Sequence, residues 1–500
     1  MSEKYILAID QGTTGTNVAL VTIRGEIFAS SYKEITQFYP KPGWVEHDPY
    51  EILESVYACI KELLKVSKVA PRDIFTIGIT NQRETTVIWD RETGKVIHNA
   101  IVWQCRRTSP ICQELLNTSD SETITNITGL SIDPYFSATK IKWLLQKVPE
   151  AYRKSKQGKL AFGTLDSWLI WNMTGGKNHV TDVTNASRTM LLDLETQEWS
   201  RAILGVLDIP MELLPQVCDS DADFGICEID VLDNLKIPIT GVAGDQHASL
   251  FGQACFNVGE AKCTYGTGAF LLMNTGSEIK KSAKGLLSTV SWKVKGVIEY
   301  ALEGSVFSAG AIVQWLRDEL NIIDSADSVE QLARSVNDTE GVYFVPAFTG
   351  LGAPHWDMDA RGTIVGLTRG AGKAHIARAS LEAIAYQCEE VLRIMRQDSG
   401  NDILELKVDG GATSNSLLMQ MQADISNCKV NSAVIQETTV LGAAFIAGIG
   451  SGIWDSVSDI AAMWQSQTVY TPFMKEIERN RKLNEWSKAV VTSKTWASQL

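Results

Sequence analysis

Asp10 ends a short apolar run, Tyr5 to Ile9, and is followed by Gln11-Gly12-Thr13-Thr14-Gly15. Apolar residues resume from Asn17 to Val21, so the stretch reads as strand, tight turn, strand. Glycines at two turn positions admit a ligand to the main chain, and two hydroxyls stand between them. Successive N–H groups in such a turn form an anion-binding nest. A carboxylate at the strand end repels a phosphate unless a cation lies between them, so Asp10 points to Mg2+. An isolated Gly-Thr turn is more often an ordinary hairpin, and the weight depends on what other stretches supply.

Arg83-Glu84 follows the strand pattern Phe75 to Thr80. In a strand the two charges would face opposite sides. In a turn both can converge on one small polar ligand, offering a fork of donors and a pair of acceptors suited to a polyol; a solvated surface pair is the plainer reading. Asp245 follows the strand Ile239 to Ala243 and Gly244, ahead of an apolar helix start. α/β proteins present catalytic groups at such strand ends, although Asp245 could equally serve as the helix N-cap. Ala261 to Asn274 repeats the opening logic, strand, Gly-Thr-Gly turn, strand, and suggests an internal duplication with a phosphate loop in each half. Leu404 to Asn415 is a strand ending in Asp409-Gly410-Gly411, with a helix from about Asn415. Paired glycines there let the backbone approach a nucleotide. No GxxxxGK[ST] or GxGxxG stretch is found, and the six histidines have no zinc-ligand spacing.

The elements that must position these groups alternate between strand and helix patterns, which places the fold in the α/β class. Asp48-Pro49 is a helix start, with Ile52, Val56, Ile60 and Leu63 on one apolar face. Thr85 to Trp89 and Ala100 to Trp103 are expected to continue the sheet. Ile132 to Phe136 is a loop before a helix with Ile141 and Leu144, Leu160 to Thr174 is packed core, and Val180 to Arg188 is a polar turn. Glu303 to Leu316 begins with small residues and becomes helical. Thr438 to Trp454, uncharged and rich in Gly and Ala, is a closely packed internal helix, too short for the roughly 20 residues of a membrane span. Five hundred residues exceed one core, so two domains are expected. A net charge of −13 without basic runs argues against nucleic acid or an anionic membrane as partner. Nine cysteines without a CxxC pair fit reduced, buried thiols in the cytoplasm. The N-terminus lacks signal-peptide organisation, and Ser498-Gln499-Leu500 resembles a peroxisomal tripeptide without its basic middle residue.

Two Gly-Thr turns after strands, a late Asp-Gly-Gly and a duplicated plan make the pattern of the actin, Hsp70 and hexokinase superfamily. Within it the chain closely resembles the glycerol-kinase branch of the FGGY carbohydrate-kinase family. The first half carries the resemblance in DQGTT (10–14), PKPGWVEHDP (40–49), GITNQRET (78–85), NAIVWQCRRT (99–108), IDPYFSATKIKW (132–143), TNASRTML (184–191) and AGDQHASLFGQ (243–253). TYGTG (264–268), PAFTGLGAP (346–354), ARGTIVGLTRG (360–370) and VDGG (408–411) continue it.

The resemblance implies two actin-like (ribonuclease H-like) α/β domains, 1–252 and 253–500, around a cleft. It implies ATP-dependent phosphorylation of glycerol to sn-glycerol 3-phosphate by a cytoplasmic homo-oligomer, dimer or tetramer. It assigns glycerol to Arg83, Glu84, Tyr135, Asp245 and Gln246, with Trp103 and Phe270 as apolar walls. It assigns the nucleotide to Thr13, Thr14, Gly15, Thr267, Gly310, Gln314, Gly411 and Asn415. Asp245 becomes the general base, and Asp10 with Asp245 places Mg2+, directly or through water. The chain also departs from the family. Asn17 stands where many relatives carry Arg. Asp230 to Lys236 lacks the Gly-rich loop and Arg tied to fructose 1,6-bisphosphate inhibition in enteric relatives. No histidine lies between Phe224 and Lys236, where some Gram-positive relatives are phosphorylated, so neither regulation is expected. Two alternatives stay open: a kinase for a pentulose or other polyol, and an ATP-driven chaperone or filament protein, which would not need Arg83, Glu84 and Asp245 together.

Overall fold

The computed structural model describes residues 4–497; the tripeptide Ser498-Gln499-Leu500 lies outside them. Strands β1 (Tyr5–Gln11), β2 (Gly15–Thr22) and β3 (Ile27–Glu34) form an antiparallel meander. Helix α1 (Pro49–Ser67) begins as its sequence requires, with the Asp48 side chain accepting from the Tyr50 N–H and proline in the first turn. Its face of Ile52, Val56, Ile60 and Leu63 is buried against the sheet. Each such side chain contributes about 1.5–3 kcal/mol by leaving water. β4 (Ile74–Asn81) then runs parallel to β1.

β5 (Gly225–Cys227) and β6 (Ile237–Gly244) complete a sheet of order β5-β6-β4-β1-β2-β3. Between β4 and β5 lie α2 (Ser137–Lys147) and the short α3 (Val183–Ser187), and α4 (Asp245–Gly252) follows β6.

The second half repeats this plan. β7 (Ala261–Tyr265), β8 (Ala269–Gly276), β9 (Leu287–Val294), β10 (Val297–Val306), β11 (Glu405–Asp409), β12 (Lys429–Ala433) and β13 (Ser466–Tyr470) form a sheet of order β9-β10-β8-β7-β11-β12-β13. β7 pairs antiparallel with β8 and parallel with β11, just as β1 pairs with β2 and β4. The expected duplication is therefore a duplication of topology. Its helices include α5 (Gly310–Asp318), α6 (Lys373–Ser399), α7 (Ser416–Ser426) and α8 (Thr438–Gly450).

The expected division at 252/253 falls between α4 and β7, but α8 lies across it. This helix is the closely packed one read from the sequence, and it covers the first sheet rather than the second. Glycines make room for it: a Cβ on Gly78 of β4 would lie 2.3 Å from Ala443 O, and one on Gly241 of β6 2.3 Å from Ala447 N. One apolar cluster accordingly mixes Ile6, Ala8 and Ala243 with Leu272, Val440 and Phe445.

Two expectations are corrected. Val87–Asp90 pairs with Leu160–Gly163, and Ala100–Ile101 with Glu46–His47, so neither extends the main sheet. The chain leaves β4 at Glu84, whose φ of +61° turns it off the sheet. Val180 to Arg188 is not a polar turn but a short strand (Val180–Asp182) running into α3, fully buried. Its polarity is satisfied internally: Asp182 accepts from the Thr184 and Asn185 N–H groups.

Candidate active site

β4 is fixed at its end by a reciprocal amide pair between Asn81 and Asn185, at 3.0 and 3.1 Å. The left-handed turn at Glu84 then sends both charged side chains inward, leaving Arg83 2% and Glu84 1% exposed. The surface-pair reading is thereby excluded, since charges so buried must be paired. Arg83 Nη1 and Nη2 donate to Glu303 Oε2 and Oε1 at 2.5 and 2.9 Å, and Nη2 also donates to the Tyr135 hydroxyl at 3.3 Å. Its Nε stands 3.1 Å from Asp245 Oδ1. Arg188, just past α3, donates from Nε to Glu84 Oε1 at 2.8 Å and from Nη2 to Glu303 Oε1 at 3.1 Å. Burial opposes the charge on Glu303, yet Arg188 and Arg83 hold its pKa down to about 2. Glu84, with one close arginine contact, is left raised by burial.

Tyr135 sits in the loop before α2, where buried Lys140 donates to the carbonyls of Tyr135 and Phe136 at 2.5 and 3.2 Å. Trp103 meets Tyr135 edge-on at 5.5 Å between ring centroids and Phe270 at 6.3 Å, the latter from the second half. The two predicted walls are thus in contact beside the predicted polar groups.

Asp245 is the first residue of α4, and Gly244 occupies the cap position. Its Oδ1 accepts from the adjacent Gln246 N–H at 2.7 Å, which is not a capping bond. The N-cap alternative therefore falls. Gly244 is held by its own N–H, which donates to Thr184 Oγ1 of α3 at 2.9 Å. Burial raises the Asp245 carboxyl above its usual range, with Arg83 opposing, the direction that makes a carboxylate a stronger base. Gln246 is oriented by buried Lys262 of β7, which donates to its Oε1 and to Thr264 Oγ1 at 2.8 Å. The Gln246 NH2 group is what remains for a ligand.

Asp10, next to last in β1, is partly buried, and among the described residues no donor is hydrogen-bonded to its carboxylate. Burial, then the charge of Asp245, raises its pKa to about 7. Two carboxylates with this surplus of negative charge fit a divalent cation. Among the described residues no group of three or more acidic, His or Cys side chains could hold one alone. Mg2+ there would draw on water and phosphate oxygens, as Mg2+ commonly does.

The first turn is closed by Gly12 N–H donating to Gly15 O at 2.9 Å, and side chains pin it. Gln82 donates to Gly12 O at 3.1 Å, Gln37 to Thr13 O at 2.6 Å, and Trp103 Nε1 to Thr13 Oγ1 at 2.9 Å. Thr13 and Thr14 reach solvent, whereas Gly15 is buried in β2, where a Cβ would meet the Tyr32 hydroxyl at 2.5 Å. Packing on β3 accounts for that glycine. In the second turn Thr267 is exposed. The Thr267 carbonyl accepts from Ala309 and Ala311 N–H at 2.9 and 3.1 Å, and Gly310 N–H donates to Gly266 O at 3.0 Å. Thr267 and Gly310 are therefore together at the start of α5, with Gln314 exposed one turn further on. At the third junction the paired glycines divide. Gly410 has φ +92° and a Cβ there would lie 2.4 Å from Tyr265 O, while Gly411 faces open space. Asn415 caps α7 by accepting from Leu418 N–H at 2.9 Å, leaving its amide NH2 free of that bond.

Sequence reading did not single out Arg188, Glu303, Lys262 or Lys140. Lys262 left a signal, a lone charge inside the short strand β7, whereas Glu303 shares β10 with Glu299 and does not stand out.

The model of the FGGY family of carbohydrate kinases matches in its N-terminal domain over residues 5–252 and in its C-terminal domain over 261–451. The chain is 53% identical to the glycerol kinase of Alkaliphilus oremlandii and 54% to that of Alkaliphilus metalliredigens, covering 99% of each chain in both alignments. A crystal structure of Plasmodium falciparum glycerol kinase with ADP superposes with a TM-score of 0.92 at 41% identity, over 98% of both chains. A gluconate kinase from Lactobacillus acidophilus, 24% identical, shares the fold with a TM-score of 0.89 over 99% of both chains. No helix among the described residues is long and apolar enough to cross a membrane. The chain belongs to the FGGY family of carbohydrate kinases.

Proposed function

We infer that the chain catalyses ATP-dependent phosphorylation of glycerol to sn-glycerol 3-phosphate. The supporting observation is the set of buried Arg83 and Glu84 with part-buried Tyr135 beside Asp245, walled by Trp103 and Phe270. It occurs in a chain more than half identical, end to end, to proteins named glycerol kinase. Polar donors and acceptors on one side and aromatic rings on the other match the hydroxyl edge and carbon edge of a three-carbon polyol.

In this reading glycerol lies against Trp103 and Phe270, with hydroxyls to Arg83, Glu84, Tyr135, Asp245 and the Gln246 NH2 group. Thr13, Thr14 and Gly15 on one side, and Thr267, Gly310, Gln314, Gly411 and Asn415 on the other, hold the nucleotide. Asp245 accepts the proton of the attacking hydroxyl as its oxygen bonds to the γ-phosphorus. The bond from that phosphorus to the bridging oxygen breaks, and ADP leaves. Asp10 and Asp245 would hold Mg2+, directly or through water, and the ion would supply charge neutralisation at the phosphates. The protein's part is mostly positioning and electrostatics, as phosphoryl transfer requires. Nine free cysteines, eight of them buried, fit a reducing cytoplasmic setting.

A coupled ADP-release assay against glycerol, dihydroxyacetone, xylulose, ribulose and gluconate tests this. Glycerol is expected to give the highest kcat/KM. Preference for a pentulose, or ADP release independent of any polyol, would overturn it.

A further inference from the structure

Glu303 belongs to β10 of the second sheet, yet its carboxylate reaches into the first half. It is fully excluded from solvent, so it touches neither substrate. A guanidinium offers five N–H groups in a rigid fork. Glu303 takes one on each Nη of Arg83, the Tyr135 hydroxyl takes a second on Nη2, and the Nε–H edge faces Asp245. One Nη1 N–H is left for a ligand. The plane and rotation of Arg83 are therefore set by an acid from the opposite half, and Arg83 in turn faces the groups that line the polyol site.

We propose that Glu303 is a positioning residue of the polyol site, holding Arg83 so that its Nε edge serves Asp245 and its Nη2 edge steadies Tyr135. This rests on glycerol being the phosphoryl acceptor. Charge makes the role specific. Arg83 and Arg188 share Glu303, and Glu84 Oε1 already stands 2.8 Å from Arg188 Nε and 3.9 Å from Arg83 Nε. Without the Glu303 charge, Arg83 turns to its remaining carboxylates, Glu84 and Asp245. That draws Asp245 from the attacking hydroxyl and releases Tyr135. The site is complete only when the second sheet is docked on the first.

The test is Glu303→Gln in the full chain, which keeps shape and removes charge. Steady-state kinetics are measured in glycerol at saturating ATP and in ATP at saturating glycerol, beside a thermal melt. The KM for glycerol is expected to rise about 10–100-fold, the scale of losing a charged hydrogen bond. kcat falls as well, while the KM for ATP stays within about twofold. A role confined to folding lowers Tm and leaves the glycerol KM of the folded enzyme unchanged. If the single variant does not fold, Glu303→Gln with Arg188→Gln removes one charge of each sign, and it too is expected to show a raised glycerol KM. Glu303→Asp, which keeps the charge on a shorter stem, is expected to recover part of the loss. Normal glycerol kinetics in whichever variant folds, or glycerol and ATP KM values rising together, overturns the proposal. Wild-type protein without glycerol-dependent ADP release in the same assay overturns the glycerol reading instead.

Discussion

The two Gly-Thr turns occupy matching points of matching sheets, yet their carboxylates are used differently. In the first, Asp10 ends β1 opposite Thr80 of β4. In the second, Thr264 holds the corresponding place on β7, and the acid stands on the neighbouring strand as Asp409, opposite Thr264. Asp409 is satisfied: its Oδ2 accepts from Ser249 at 3.1 Å, Gln253 at 2.9 Å and Thr438 at 2.5 Å, tying α4 and α8 to β11. Asp10 has no such donors, and burial, then the charge of Asp245, raises its pKa to about 7. The paired strands at each turn thus carry an unsatisfied acid on the first strand in one half and a structural acid on its parallel neighbour in the other. Unsatisfied, perturbed carboxylates in a cleft are where ligands and metals are bound. The loops differ as well. Side chains pin the first, whereas backbone bonds hold the second against α5.

This contrast can be broken from either side. The largest expected effect belongs to the first half: Asp245→Asn should lower kcat by about 10²–10⁴-fold, the usual contribution of a positioned base. Glycerol KM and Tm should change far less, because Asp245 does not cap α4. Steady-state kinetics with a melt decides it, and near-normal kcat would remove Asp245 as the base. Next in size is Arg83→Ala, expected to raise the KM for glycerol about 10–100-fold while ATP binding stays near normal. It also leaves Glu303 buried with Arg188 alone, so stability should fall by about 3–5 kcal/mol, read by urea unfolding. Smaller effects should separate the late glycine pair. Gly410→Ala forces a side chain into a left-handed conformation against Tyr265, costing about 1–3 kcal/mol of stability. Gly411→Ala should leave stability within about 0.5 kcal/mol and raise only the KM for ATP. Equal effects from the two would mean that neither glycine is reserved for the nucleotide.

What the sequence disclosed follows from how local each signal is. Asp48-Pro49, the alternating strands around both Gly-Thr turns and the Asp409-Gly410 junction are short-range patterns, and all appear in the structure. Arg83 and Glu84 were legible as a pair but not as a buried one, because their partners Glu303 and Arg188 lie more than a hundred residues away. Val180 to Arg188 read as a turn since Asp, Thr, Asn and Ser favour turns. Burial converts the same residues into a capped helix that holds Asn81 and Gly244. The packing of Gly15 was not legible for a related reason. Its closest neighbour is Tyr32 on β3, and no local pattern records that contact.

The most direct test of the contrast is one paired measurement, kcat and Tm for Asp10→Asn and Asp409→Asn at pH 8. Asp10→Asn removes a charge the fold does not satisfy, so Tm should hold or rise while kcat falls by at least about 10²-fold. Asp409→Asn disturbs the three hydrogen bonds that tie α4 and α8 to β11, so stability should fall by about 1–3 kcal/mol while kcat stays within about tenfold. If Asp10→Asn keeps near-wild-type kcat, or Asp409→Asn loses kcat as severely with Tm unchanged, the division between a catalytic and a structural acid is wrong.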